Sequence, residues 1–136
     1  MHTIRHILIA TDFEQASMHA ESVGAELASV LKARLTLLNV YSMPGSPFGS
    51  VGDLIERSVD GLRRAARAIS AKHPDAGTAV RCGDPHREIL AAVVELGADM
   101  VVLGTHGRHG LDRALIGSVA EHVVRDCPVP VLTVHA

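Results

Sequence analysis

The chain has 136 residues, 47% of them hydrophobic and 21% charged, with a formal net charge of −2. A domain of this length buries roughly 68% of its unfolded surface, so one packed core spanning 1–136 is expected, and the composition excludes a disordered tail or a fibrous repeat. Scattered Arg and Lys, no Trp, and only Phe13, Phe48 and Tyr41 as aromatics argue against a nucleic-acid partner.

The opening segment, MHTIRHILIATD, holds an apolar run of four or five residues between His6 and Asp12. That is too short for a signal peptide or a membrane span, so a soluble, cytoplasmic protein is expected. It reads as a first strand over 3–10. A helical pattern follows over 14–33, with Ala16, Ala20, Val23, Leu27, Val30 and Leu31 spaced by three and four. RLTLLNVY (34–41) is the second strand. The Gly-, Pro- and Ser-rich stretch 42–53 reads either as a plain connection or as a lid over a ligand site.

The second helix, about 51–72, carries Val51, Leu54, Ile55, Val59, Leu62, Ala66 and Ile69 on its apolar side and leaves Arg57, Arg63, Arg64 and Arg67 outside. TAVRC (78–82) is the third strand. The third helix opens at GDP, where Asp84 is placed to cap and Pro85 supplies first-turn geometry; it buries Ile89, Leu90, Val93 and Val94 and ends at Gly97. MVVLG (100–104) is the fourth strand, and the fourth helix spans about 115–126. VPVLTVH (129–135) is the fifth strand, with Pro130 marking it as an edge that a second copy of the chain could cover.

Strands alternating with helices predict an α/β fold: an open, parallel, five-stranded sheet with helices on both faces and the first strand in the middle. The unbroken apolar runs ILIA and MVVL suit strands covered on both sides. Cys82 and Cys127 form no C-x-x-C pair and read as plain thiols of a reducing compartment.

Ligands of such sheets bind beyond the carboxyl ends of the strands, where the winding reverses. Two segments meet there: ATDFE, with Ala10, Thr11 and Asp12, and GTHGRHGLDRALIGS, residues 104–118, with four glycines. Gly104, Gly107 and Gly110 permit positive φ and close backbone approach, while Gly117 and Ser118 open a helix whose free amides and dipole favour an anion. This reads as a phosphate cradle, with Arg108 and Arg113 to offset charge; Ser118 is either a hydroxyl donor or a helix cap. The stretch is not a Walker A loop, because Gly117 is followed directly by Ser118 with no lysine between. Asp12 can reach a ribose hydroxyl, hold Mg²⁺, or cap the first helix with Gln15 completing a capping box.

The pattern G-x2-G-x9-G-[ST], met by Gly104, Gly107, Gly117 and Ser118, resembles that of the universal stress protein family in its ATP-binding branch. ILIATD, GDPHREIL, ADMVVLGTHGRHG and IGSVAEHVVRDCPVPVLTV are similar to the family's successive blocks, so the likeness covers the whole chain. It implies a Rossmann-like domain of the adenine nucleotide alpha hydrolase type that binds ATP, or AMP or ADP; Mg²⁺ enters only as one of the alternatives for Asp12. The resemblance implies adenine near Ala10, Val40 and Gly83, ribose near Asp12 and Gly104, and phosphates at the amides of Gly107, Gly117, Ser118 and Val119. Leu103 and His106 would also line the nucleotide. A homodimer through strand 129–135 is implied as well, and an unknown protein partner is expected if the chain acts as a switch.

One departure is Glu14, where the family often has a small hydroxyl residue; its carboxylate would repel a triphosphate unless a metal ion or arginine intervenes. Nine histidines include His106 and His109 in the glycine stretch, but zinc needs four ligands with fixed partners, and His106 fits phosphate or ribose better. Neither a nucleophile elbow nor a carboxylate pair marks an enzyme. Three functions therefore stand: a nucleotide-gated stress-response switch, a slow Mg-dependent ATPase using Asp12 with His106 or Arg108, and an interaction module with an empty cradle.

Overall fold

In a computed structural model, residues 3–42, 50–105 and 116–136 are described. Five strands, β1 (His6–Ala10), β2 (Arg34–Tyr41), β3 (Gly77–Cys82), β4 (Met100–Gly104) and β5 (Val131–Val134), alternate with four helices. The helices are α1 (Gln15–Leu31), α2 (Val51–Ile69), α3 (Pro85–Leu96) and α4 (Ser118–Asp126). All strand pairs are parallel and the order is β3-β2-β1-β4-β5, so β1 is central and β5 is an edge, as the alternation and Pro130 predict. Pro130 itself lies one residue before β5, where its carbonyl accepts from the Val101 amide at 3.0 Å.

Alternate side chains of each strand feed two cores, as a sheet covered on both sides requires. Ile7, Ile9, Leu35, Leu37 and Val102 pack with α1 and α2, whereas Leu8, Ala10, Leu38, Val101 and Leu103 pack with α3 and α4. Helices thus cover both faces.

Local chemistry sets the element ends. Gly97 terminates α3 in the left-handed region at φ 65°, returning its amide to the carbonyls of Val93 and Val94. Ser50 caps α2 in a full capping box with Asp53. Asp84 is the N-cap residue of α3, but its side chain makes no capping bond and instead faces His86 at 3.0 Å.

Three helices bury only part of the face their apolar periodicity suggests: Ala16 and Ala20, Leu62 and Ile69, and Ile89 and Val93 are buried as expected, and other positions are not. α1 buries Ala16, Ser17, Ala20, Glu21, Gly24, Ala25 and Ala28, while Val30 is 75% exposed and Val23 and Leu31 also reach the surface. The cause is distance: a Cβ at Gly24 would stand 2.5 Å from Ile9 Cδ1, so only small residues let α1 approach the sheet this closely. α2 buries Ser58, Gly61, Leu62, Ala65 and Ile69 and leaves Val51, Ile55 and Val59 exposed. α3 buries Ile89, Ala92 and Val93 and leaves Val94 outside.

Candidate functional site

The strand register brings the expected site residues to one edge. Ala10 lies opposite Leu38 on one side and Leu103 on the other, so the ends of β1, β2 and β4 are adjacent. β2 runs on through Asn39, Val40 and Tyr41, level with Val80, Arg81 and Cys82 of β3. Gly83 follows β3 at φ 148°, a conformation that L side chains rarely adopt, and its amide bonds the Tyr41 carbonyl at 2.9 Å. Winding reverses between β1 and β4, because the chain after β1 returns to β2 on one side and the chain after β3 crosses to β4 on the other.

Beyond β1 the chain makes a tight turn. The Thr11 amide continues the ladder to the Leu38 carbonyl at 2.9 Å. Its hydroxyl donates to Glu21 Oε2 at 2.6 Å and accepts from the Phe13 amide at 3.0 Å, and its carbonyl accepts from Asn39 Nδ2 at 2.8 Å. Thr11 is therefore engaged at every polar group and buried. Asp12 is exposed: its amide donates to Ser17 Oγ at 3.1 Å, and its Oδ1 accepts from the Glu14 amide at 2.9 Å. The helix-cap reading of Asp12 is corrected here, since Glu14 is the N-cap residue of α1 and makes no side-chain capping bond. Phe13 takes φ 68°, unusual for a bulky side chain.

Beyond β4, Thr105 ties three elements together. Its amide donates to the Val134 carbonyl at 2.9 Å and its carbonyl accepts from the Gly117 amide. Gly117 is the N-cap residue of α4, with φ −65° and no side-chain capping bond, and Ser118 and Val119 are the first two residues of that helix. First-turn amides have no partner within their own helix, and this terminus carries the positive end of the dipole. His122 Nδ1 bonds the Ser118 carbonyl at 2.7 Å, and its ring stacks on His86 with centroids 4.4 Å apart.

Gly104 differs from its sequence reading. It is not among the positive-φ residues; its missing side chain makes room for α1, because a Cβ there would meet the Ala16 carbonyl carbon at 2.7 Å and the Ser17 amide at 2.8 Å. His106, Gly107, Arg108, Gly110 and Arg113 lie outside the described residues, as does most of the stretch 42–53.

Among the described residues no three His, Cys, Asp or Glu side chains converge on a possible metal position. Asp12 can thus offer one carboxylate, which suits Mg²⁺ only alongside phosphate oxygens and water. A cavity of about 470 Å³ lined by His6, Arg34, Thr36, Lys72 and His73 opens at the amino ends of β2 and β3, opposite the edge where the winding reverses. No helix among the described residues is long and apolar enough to cross a membrane.

The residues that sequence reasoning missed are Phe13, Glu21, Asn39 and Ser58. Ser58 Oγ donates to Asn39 Oδ1, so a buried polar chain runs from α2 through β2 and Thr11 to α1. Burial raises the pKa of the Glu21 carboxyl, with Asp12 adding to the effect and the Thr11 hydroxyl opposing it. A signal was present: Ser58 and Glu21 interrupt helix faces that are otherwise apolar or small.

A five-stranded parallel sheet with a reversal at β1 and β4, a bonded turn on one side and an uncapped helix N-terminus on the other defines a Rossmann-like α/β domain. The chain belongs to the universal stress protein family, whose model matches residues 3–135. A universal stress protein of Methanocaldococcus jannaschii is 30% identical over 140 residues, covering 96% of this chain and 81% of that one. A universal stress protein solved in complex with cAMP superposes with a TM-score of 0.79 at 23% identity, covering 98% of each chain. One from Archaeoglobus fulgidus in complex with dAMP superposes at 0.67, also at 23% identity, covering 97% of this chain and 98% of that one.

Proposed function

We propose that this chain binds an adenine nucleotide, ATP in the first instance, at the carboxyl edge between β1 and β4, and that occupancy switches what a protein partner meets in a cytoplasmic stress response. The observation that carries the reading is the N-terminus of α4. Its first-turn amides at Ser118 and Val119 lack a side-chain cap, and the Gly117 amide fixes them beside the end of β4. Preorganised amides at a helix N-terminus suit phosphate. Asp12, the exposed acidic residue of the facing turn, suits a ribose hydroxyl, or Mg²⁺ held jointly with the phosphates.

In this proposal adenine and ribose lie over the strand-end positions Ala10, Val40, Gly83, Leu103 and Gly104, and His106, Gly107 and Arg108 belong to its phosphate side. Structural relatives solved with cAMP and dAMP support an adenine nucleotide as the ligand class. The β5 edge, half-buried along its length, supports a homodimer formed through it.

The test is release of co-purified ligand by heat or acid, identified by mass spectrometry and counted against protein, followed by titration with Mg-ATP, AMP and cAMP. Near one adenine nucleotide per chain, or saturable binding of an added one, is the expected result. An empty protein that binds none of them at millimolar concentration overturns the reading in favour of an interaction module.

A further inference from the structure

Phe13 sits at φ 68° in the turn between β1 and α1. A bulky residue held in the left-handed region is a sign of overdetermined structure, and such positions cluster at functional sites. The groups that hold it are buried and come from three other elements: Glu21 of α1, Asn39 of β2 and Ser58 of α2, exposed by 6%, 8% and 2%. Glu21 and Asn39 bond Thr11 directly and Ser58 reaches it through Asn39, and the Thr11 hydroxyl in turn takes the Phe13 amide.

A buried polar network of this kind costs more than apolar packing would, and what it returns is a single fixed arrangement. The arrangement fixed here is the placement of Asp12, the exposed residue between Thr11 and Phe13. Thr11 itself has no amide, carbonyl or hydroxyl proton left to offer a ligand.

We propose that Asn39 and Glu21 are positioning residues for the nucleotide edge: through Thr11 they lock the strained Phe13 turn and so aim Asp12 at the ligand. The proposal rests on the nucleotide reading above. It assigns Thr11 the same indirect role in place of a ligand contact. Asn39 is suited to it by direction, since its amide nitrogen donates to the Thr11 carbonyl while its oxygen accepts from Ser58. An aspartate would have the same shape and set a carboxylate oxygen against that carbonyl. Glu21 needs only an acceptor oxygen, which glutamine also supplies.

The experiment compares Asn39→Asp, Glu21→Leu and Glu21→Gln with the wild-type chain, reading Mg-ATP, AMP and cAMP affinity by calorimetry and amide hydrogen exchange at Phe13 and Glu14 by NMR. Asn39→Asp and Glu21→Leu should weaken nucleotide binding about tenfold, as expected of a misaimed contact, with Glu21→Gln restoring it. The first two should also speed Phe13 exchange by about tenfold or more. Folded variants that lose thermal stability yet keep wild-type affinity and Phe13 protection overturn the proposal. A wild-type chain that binds none of the three nucleotides removes the nucleotide reading instead, and the positioning role is then decided by Phe13 exchange alone.

Discussion

The ring of Phe13 occupies the space that a side chain at Gly61 would fill. A Cβ built on Gly61 stands 2.4 Å from both Cε2 and Cζ of Phe13, so the absence of a side chain in the middle of α2 is what seats the β1–α1 turn. Gly61→Ala is expected to destabilise the protein by roughly 1–2 kcal/mol, the overpacking cost less the gain in helix propensity. In a Phe13→Ala background the clash is gone, and the same substitution should stabilise by up to about 1 kcal/mol. Urea unfolding of the four chains of this cycle measures both numbers. An unchanged sign would show that the ring does not depend on Gly61.

Gly104 opens the glycine motif, yet its environment is a helix. The Ala16 carbonyl carbon and the Ser17 amide lie 2.7 and 2.8 Å from where a Cβ would be, and backbone cannot step aside as a side-chain tip can. Gly104→Ala should therefore cost about 3 kcal/mol, at the upper end for overpacking, with no ligand present. Gly77→Ala is the control: its nearest neighbour is Thr36 Oγ1 at an ordinary 3.5 Å, and the change should stay within about 1 kcal/mol. Equal denaturation midpoints for Gly104→Ala and wild type would return this glycine to a purely ligand-facing role.

Much of this architecture is legible in the sequence, for local reasons. Pro85 and Gly97 bound α3 through their own backbone preferences, and the apolar runs of β1 and β4 mark the strands that are covered on both faces. The face of α1 is not legible by the same logic. The periodicity places Ala16 and Ala20 on the buried side, but counting large apolar residues adds Val23, Val30 and Leu31, whereas the closeness of Ile9 selects Gly24 for smallness. The partnership of Asn39 with Ser58 and Thr11 is set by how α2 lies on β2, so each residue alone reads as an ordinary polar side chain. Gly104 is a point of close approach, but the group that approaches is α1 rather than anything its place in the glycine pattern specifies.

His6 is buried at the start of β1, with Nδ1 3.2 Å from the Leu96 carbonyl and Nε2 2.7 Å from Thr36 Oγ1. A carbonyl only accepts, so Nδ1 carries the proton and Nε2 takes the Thr36 hydroxyl. Burial lowers the His6 pKa below 6.5, and the Arg34 charge lowers it further, against opposing contributions from the Leu96 carbonyl and Asp99. With a depressed folded value, the stability owed to neutral His6 is present above 6.5 and is lost as pH falls through the folded pKa. NMR of the imidazole nitrogens should find the Nδ1–H tautomer and a midpoint below 6.5, and Arg34→Gln should move that midpoint back up. A midpoint at or above 6.5 in the folded chain would refute this assignment.

Glu21 titrates in the opposite sense. Burial raises its pKa above the ordinary 4.5, the Thr11 hydroxyl opposes that by bonding the carboxylate, and nearby Asp12 reinforces it. A raised folded value means that the favourable contribution of the neutral acid is complete below 4.5 and disappears as pH rises through the folded pKa, above which a charge is buried. Glu21→Gln keeps the acceptor for Thr11 and removes the titration. The Tm difference between variant and wild type should be constant below pH 4.5 and should then grow in favour of the variant as pH rises through the folded pKa. Differential scanning calorimetry over that range decides the matter, because any fixed cost of the amide cancels in the pH dependence. A difference that stays flat would mean that the Thr11 bond outweighs burial and that Glu21 is accommodated as a carboxylate.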